Sequence, residues 1–172
     1  MVSLPQTDLG PVSASPHAVV AAALDLARVG PGDVLLDVGC GSDGASILAW
    51  VSSHKHALTL PTLLRAARVC VAAARRGAAS VGIELREAAV NSACAAVDTA
   101  TRSSDQMPAI YIRHADALDD AVSFEDASVV FLYLLPRGTA AIAAKLEAQL
   151  KPGTRVVCHL FRRAFICVDA DV

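Results

Sequence analysis

Apolar residues occur in two kinds of segment along the chain, short continuous runs and longer amphipathic stretches. The continuous runs fall at residues 33–38, 80–84, 109–113, 127–132 and 154–160. Their length and near-uniform apolarity predict buried strands of a parallel sheet. Apolar residues recur at helical spacing in residues 15–28, 61–76, 86–100 and 138–150. Strands that alternate with helices predict an α/β fold, a Rossmann-like doubly wound and mostly parallel sheet with right-handed crossovers.

Turn residues separate these segments and suggest a single domain over residues 1–172. Ser15-Pro16 is typical of a helix start, and Gly30-Pro31-Gly32 follows the end of that helix. Residues 1–14 are expected to form an extended lead-in, and the polar residues 52–60 an inserted loop. This loop is either a tolerated surface insertion or a lid near a ligand entrance. Residues 61–76 are expected to form one amphipathic helix between the first two strands.

Composition excludes several classes of protein. Apolar residues make up 54% of the chain, yet no stretch reaches the roughly 18 consecutive apolar residues of a membrane span, so we expect no stable membrane insertion. The net charge of −2 gives no electrostatic footprint for nucleic acid. The five cysteines form no C-x-x-C pair, and residues 1–24 contain no Lys or Arg. Both observations favour an intracellular protein, cytoplasmic by default, whose oligomeric state the sequence does not indicate.

A glycine loop after the first strand carries the clearest chemical signal. Asp37-Val-Gly39-Cys-Gly41-Ser-Asp43-Gly44 offers close backbone approach and free N–H groups to a ligand. The glycine spacing also fits the dinucleotide fingerprint, but there an acid follows about 20 residues on. Here the next strand-end acid, Glu84, lies 40 residues beyond Gly44, and Asp37 already precedes the first glycine. The Asp-x-Gly-x-Gly form resembles the S-adenosylmethionine (SAM)-binding loop of class I methyltransferases. A glycine turn without a ligand is the alternative.

Two longer blocks resemble one methyltransferase family more closely. The first block lies within residues 12–41 and the second within residues 127–157, where it includes Leu132-Tyr-Leu-Leu-Pro136. Both are similar to a family of small protein-lysine methyltransferases. That family includes the ATP synthase c-subunit and adenine nucleotide translocase enzymes and their bacterial relatives. The resemblance implies SAM as cofactor and a lysine side chain of a protein as substrate, and it suggests mitochondria as a second location. The chain departs from the family pattern at Ser42 and Ala45, and we expect it to lack the final strand pair.

The candidate site residues follow from the loop, the strand ends and the resemblance. The candidate cofactor-binding residues are Asp37, Gly39, Cys40, Gly41, Asp43, Gly44, Glu84, Leu85, Asp116 and Ala117.

Three of these have specific predicted roles. Asp37 is predicted to help hold the methionine amino group, Glu84 to accept from both ribose hydroxyls, and Asp116 to accept from the adenine amino group. The alternatives are a solvent-facing cap of the next helix for Glu84 and a simple turn residue for Asp116. Cys40 is expected to pack under the cofactor rather than to act as a nucleophile. His54 and His56 have no third ligand near them in sequence, so we predict no metal site.

Methyl transfer to an amine requires a neutral nitrogen held close to the methyl group and in line with it. Tyr133, just after the fourth strand, is predicted to line the pocket for that nitrogen, and the alternative is that it packs under the adenine or the next helix. The sequence shows no general base. A small-molecule methyltransferase and a non-catalytic SAM-fold binding module are the other functions compatible with the sequence.

Overall fold

The computed structural model describes residues 16–41, 66–104 and 106–159. Helices and strands alternate through these ranges. In chain order they are α1 His17–Leu26, β1 Val34–Val38, α2 Arg68–Ala74, β2 Ala79–Glu84, α3 Glu87–Thr101, β3 Ile110–His114, β4 Val129–Leu132, α4 Pro136–Gln149 and β5 Arg155–Cys158. The predicted lead-in at residues 1–14 and the inserted loop at residues 52–60 lie outside the described residues. In the described ranges, no helix is both long enough and apolar enough to span a bilayer.

All five strands are parallel, and their order across the sheet is β3-β2-β1-β4-β5. This confirms the predicted Rossmann-like doubly wound fold. The chain moves outward from β1 to β3 and then returns to the other side of β1 at β4. The point between β1 and β4 is therefore the topological switch point, where ligands of such sheets bind beyond the carboxyl ends of the strands.

Helices cover both faces of the sheet. On one face, α1 and α2 pack on β1 and β4 through a cluster that includes Val20, Leu24, Val69 and Phe131. On the same face, alanines of α3 meet Cys40 and Cys70 in a second cluster. On the opposite face, α4 inserts Ile142 and Leu146 among residues of β1, β2 and β4. The helices thus pack on both faces of the sheet, and the loops that follow the strands lie at its carboxyl edge.

A polar network joins distant segments at the amino edge of the sheet. The Ser128 hydroxyl donates to Asp33 Oδ1 at 2.7 Å and accepts from the Val34 amide at 3.0 Å. Arg155 forms an ion pair with the same Asp33 carboxylate, and its Nη1 donates to the Ala27 carbonyl oxygen at 2.6 Å. The loop before β1, the start of β4 and the start of β5 are thereby held together.

Several predicted boundaries are corrected by the structure. Residues 61–76 do not form one helix through the described part, because Ala67 takes a left-handed conformation (φ 52°) and α2 begins only at Arg68. The first helix ends at Leu26 rather than Arg28, and α4 begins at Pro136 rather than Gly138. Proline suits the first turn of a helix because its fixed φ is helical and its missing N–H has no partner there.

Candidate functional site

The carboxyl edge of the sheet brings residues from all five strands into one row. Val38 pairs with Ile83 and with Leu132, and Leu132 pairs with Cys158. One residue further, the row reads His114, Glu84, Gly39, Tyr133 and His159. Hydrogen bonds continue the ladder there, from Gly39 N to the Ile83 oxygen at 2.8 Å and from His159 N to the Leu132 oxygen at 2.9 Å. Because side chains alternate between faces, this whole row lies on the face that carries α2 and α3.

The glycine loop turns sharply over the end of β1. Gly39 has a φ of 86°, which only glycine adopts at little cost, and a Cβ built on it would meet its nearest atom at 3.9 Å. Among the residues that the structure describes, the nearest atom to that Cβ is Leu134 Cδ2, so none of them crowds the position over Gly39. The Cys40 oxygen accepts from Ala67 N at 2.9 Å, so the loop is tied to the residue just before α2.

Glu84 is buried at 5% exposure, and its carboxylate faces the glycine loop. Oε2 accepts from the Gly41 amide at 3.1 Å, and Oε1 accepts from the Arg86 amide at 2.9 Å and from Arg86 Nε at 3.3 Å. A Cβ on Gly41 would lie 2.6 Å from Oε2 and from Ala89 Cβ. Glycine at position 41 is thus what lets the carboxylate reach the loop. Of the alternative role, a solvent-facing cap of the next helix, the structure shows the contact with the cap residue Arg86, but the side chain is buried rather than solvent-facing.

Asp37 is buried beneath the same loop. Burial, followed by the negative charge of Glu84, raises the pKa of Asp37 to about 7. The Cys70 thiol lies 3.9 Å from Asp37 Oδ2 and donates to it weakly. Asp37 and Glu84 therefore lie close together next to the loop, and a cation bound nearby would stabilise the ionised form of Asp37.

Cys40 packs into the sheet instead of presenting a reactive thiolate. A Cβ on Gly82 would lie 2.5 Å from Cys40 Sγ, so the thiol occupies the space over that glycine of β2. Burial, with smaller contributions from Cys70, Asp37 and Glu84, raises the pKa of the Cys40 thiol well above its ordinary value. Both observations disfavour nucleophilic chemistry at Cys40, and its packing under the cofactor stays a prediction.

Leu85, Asp116 and Ala117 lie in the two loops that follow β2 and β3. The Leu85 carbonyl oxygen is 2.9 Å from His114 Nε2, which joins the two loops. Asp116 Oδ1 accepts from the Leu118 amide at 2.9 Å, so Asp116 does serve as a turn residue. Its predicted contact with adenine stays a prediction. Ala117 is buried, and its oxygen accepts from Lys145 Nζ at 2.9 Å.

Tyr133 lies on the other side of Gly39 from Glu84. Its side chain is half-buried against the cluster formed by α1, α2 and β1, and its ring is 4.7 Å from the His159 ring, centroid to centroid. His159 and Lys145 were not among the residues predicted from sequence. His159 falls inside the predicted strand 154–160, whereas β5 ends at Cys158, and nothing in the sequence pattern brings Lys145 to Ala117. Asp43, Gly44, His54 and His56 lie outside the described residues.

Comparisons with known proteins agree with this geometry. Residues 66–164 match the model of the ANTKMT methyltransferase domain family. A protein-lysine N-methyltransferase of Saccharolobus islandicus is 27% identical over 155 residues, which cover 88% of this chain and 76% of the relative.

Two solved structures extend the comparison. An RNA methyltransferase from Salinibacter ruber in complex with S-adenosyl-L-homocysteine is 31% identical, with a TM-score of 0.64 over 85% of this chain and 76% of that one. The C-terminal domain of precorrin-6Y C5,15-methyltransferase from Rhodobacter capsulatus shares the fold, with a TM-score of 0.57 at 20% identity over 90% of this chain and 68% of that one. The chain therefore belongs to the ANTKMT methyltransferase family and is a SAM-dependent methyltransferase.

Proposed function

We propose that this methyltransferase transfers the methyl group of SAM to the side-chain amine of a lysine in a protein substrate. The observation that carries the proposal is the row of Glu84, Gly39 and Tyr133 at the switch point of the sheet. It puts a buried carboxylate, an open glycine turn and a half-buried aromatic side chain side by side. The family match and the Saccharolobus islandicus relative, which is named a protein-lysine N-methyltransferase, support the choice of substrate.

The residues present fit SAM. The Glu84 carboxylate is an acceptor for two neighbouring ribose hydroxyls, because its oxygens lie against the loop rather than in solvent. The space over Gly39 suits the methionine end, and Asp37 supplies negative charge for the amino group. We assign Leu85, Asp116 and Ala117 to the adenine end and Cys40 to packing below the cofactor. Asp43 and Gly44 are assigned to the remainder of the glycine loop from the sequence pattern alone.

SAM, when bound, supplies a methyl group activated by a positively charged sulfur. The chain's own residues hold the two reactants in line, which is the main requirement of such a displacement. Tyr133 orients the substrate nitrogen from the side of Gly39 that is opposite to Glu84. A lysine side chain must first lose a proton, because its ordinary pKa of about 10.4 keeps it charged at pH 7 and leaves no lone pair for attack.

Incubation of the protein with a cell lysate and SAM labelled in its methyl group tests the substrate class. We expect label in protein, and N-methyl-lysine after acid hydrolysis, with markedly less label at low SAM concentration when Glu84→Ala replaces the wild-type protein. Label in RNA would overturn the proposal in favour of the activity named for the Salinibacter ruber neighbour. Label only in small molecules would favour a small-molecule methyltransferase. SAM binding by calorimetry without any labelled product would favour a non-catalytic SAM-binding module.

A further inference from the structure

His159 and Tyr133 form a ring pair at the carboxyl edge of the sheet. Their centroids are 4.7 Å apart and the ring planes are inclined by 51°. The pair follows directly from the register, since Leu132 pairs with Cys158 and the next residue of each strand is Tyr133 or His159. The hydrogen bond from His159 N to the Leu132 oxygen fixes the backbone under the imidazole. The fold therefore places residue 159 beside residue 133, and the two rings are in contact.

The pair lies on the side of Gly39 that is opposite to Glu84. Glu84, Gly39, Tyr133 and His159 lie on four neighbouring strands, and strands in a sheet are about 4.8 Å apart. The Tyr133 position is thus roughly 10 Å from the Glu84 position across Gly39, and the His159 position is one strand further in the same direction. His159 is only partly buried, so a substrate arriving from solvent can reach it.

The other ionisable side chains of this row are engaged elsewhere. Glu84 accepts hydrogen bonds from Gly41 and Arg86, and His114 contacts the Leu85 oxygen at the far edge of the sheet. Asp37 lies in the row below, buried against Cys70. Among the described residues of this row, His159 is the remaining group able to take up a proton near neutral pH on the Tyr133 side.

We infer that His159 accepts the proton that the substrate lysine must lose, while Tyr133 orients the resulting amine. The inference rests on the proposed lysine substrate. The imidazole nitrogen takes one proton from the ε-ammonium group, which leaves a neutral amine and a protonated imidazole. The lone pair of the amine then forms the new N–C bond with the methyl group, and the C–S bond breaks with its electrons remaining on sulfur. The methylated ammonium and S-adenosylhomocysteine leave, and the imidazole returns its proton to solvent.

The charge state of the imidazole is consistent with this role. Partial burial lowers the pKa of His159 from its ordinary value, which favours the neutral ring that can accept a proton. The Tyr133 phenol is the ionisable group in ring contact with it. An imidazole that takes up a proton contributes typically 10²–10⁴-fold to rate.

The test compares His159→Gln and His159→Ala with the wild-type protein, using poly-L-lysine as methyl acceptor. We expect kcat for His159→Gln to fall roughly 10²-fold or more at pH 7.5, while the Kd for SAM changes by less than about twofold. The defect should shrink toward pH 9.5, because more of the amine is then neutral without help. Added imidazole should restore part of the activity of His159→Ala. An equal kcat in wild type and His159→Gln, or a defect that is the same at both pH values, would overturn the inference.

A measurement without turnover separates this inference from the proposed function. The imidazole C2–H signal of His159, assigned by its loss in His159→Gln, is followed by NMR in the complex with S-adenosylhomocysteine. Addition of n-butylamine, which reproduces the lysine side chain, should lower the His159 pKa because a second cation lies beside the ring. The shift should be weaker in Tyr133→Phe. An unchanged pKa would overturn the inference even if lysine is methylated. A shift without methylation of any lysine would count against the proposed function alone.

Discussion

At the scale of single residues, two buried carboxyl groups control the charge of the cofactor loop. Asp37 and Glu84 lie on neighbouring strands, and the charge of Glu84 contributes to the raised pKa of Asp37. The folded protein therefore holds a carboxyl group that stays protonated to a higher pH than an ordinary Asp. A cationic ligand near the loop would favour the ionised form of Asp37. Binding of such a ligand would therefore offset part of the free-energy cost of burying the Asp37 charge, and the ligand-free protein lacks this offset.

Replacement of Asp37 by Asn should stabilise the ligand-free protein at alkaline pH. The folded-state pKa of about 7 lies above the ordinary 3.8, so the folded state binds more protons between these values and wild-type stability falls as pH rises through them. Asn carries no charge at any pH. We expect Asp37→Asn to raise the free energy of unfolding by roughly 2–4 kcal/mol at pH 8. The gain should be much smaller at pH 4.5. Urea unfolding at both pH values measures it, with the exposed Asp98→Asn as control. An equal gain at the two pH values would contradict the assignment.

Replacement of Glu84 by Ala should weaken SAM binding by roughly tenfold to a hundredfold, which corresponds to one or two charged hydrogen bonds. Calorimetry measures the affinity, and circular dichroism reports whether the protein remains folded. Glu84→Gln keeps the shape of the side chain and separates lost charge from lost packing. Glu87→Gln, on the exposed first turn of α3, is the matched control and should bind SAM normally. Wild-type affinity in folded Glu84→Ala would remove Glu84 from the cofactor site.

Single-residue predictions from sequence succeed where position along a strand decides the environment. Glu84 ends an apolar strand and Gly39 follows one, so both were expected at the carboxyl edge. The hydrogen bond from the Gly41 amide to Glu84 could not be predicted from the sequence. It requires the loop and the carboxylate to approach so closely that a Cβ on residue 41 would lie 2.6 Å from Glu84 Oε2. His159 was missed for a related reason. Its partner Tyr133 is set by the pairing of β4 with β5, and a sequence pattern does not give the register.

At the scale of elements, α4 anchors the turn between β3 and β4. Lys145 donates from Nζ to the carbonyl oxygens of Ala117 and Asp119, and its ammonium lies 4.9 Å from the centroid of the Phe124 ring. Gln149 Oε1 accepts from the Phe124 amide at 3.0 Å. The turn that carries Asp116 and Ala117 is thus held by a helix from the opposite face of the sheet.

Replacement of Lys145 by Met should remove the contacts that hold this turn while the protein remains folded. We expect a loss of roughly 1–2 kcal/mol in the free energy of unfolding, from two hydrogen bonds and one cation–π contact. The Kd for SAM should rise about fivefold to tenfold if Asp116 and Ala117 contact adenine, since 1.4 kcal/mol corresponds to a factor of ten. Lys145→Arg should recover part of both losses. Lys151→Met, at an exposed lysine after α4, is the control. Unchanged SAM affinity in Lys145→Met would show that the turn does not contribute to binding.

The order and type of the elements were predictable because their apolar periodicity differs between strands and helices. The ends were less predictable. Ala67 has ordinary helix propensity, yet its backbone is left-handed and its N–H donates to Cys40 in the glycine loop. A tertiary hydrogen bond therefore decides where α2 begins, and local sequence does not contain that information.

At the scale of the whole molecule, the amino edge of the sheet is cross-linked through Asp33. Burial raises the pKa of Asp33, but hydrogen bonds from Gly30, Ser128 and Arg155 outweigh this effect and the net pKa is lowered. Asp33 therefore stabilises the fold above its ordinary pKa of 3.8, and this contribution is lost as pH falls through the lower folded-state value.

Replacement of Arg155 by Met should destabilise the protein without affecting its cofactor site. We expect a loss of roughly 1–3 kcal/mol in the free energy of unfolding at pH 7, from hydrogen bonds of a partly buried charged group. SAM affinity of the folded variant should be unchanged, because the network lies at the amino edge of the sheet. The loss should diminish below about pH 4, as Asp33 becomes protonated. Arg102→Met, at the exposed end of α3, is the control. Reduced SAM affinity at wild-type stability would contradict this separation.

The network at the amino edge also has a consequence for how such a protein can change over generations. Its bonds tie residues 27, 33, 128 and 155 together at one end of the strands, while Gly39, Tyr133 and His159 occupy the other end. Substitutions at Gly39, Tyr133 or His159 remove none of these bonds. Natural selection or a laboratory library can therefore change the methyl acceptor through substitutions at the carboxyl edge of the sheet. The bonds at the amino edge keep most of these variants folded.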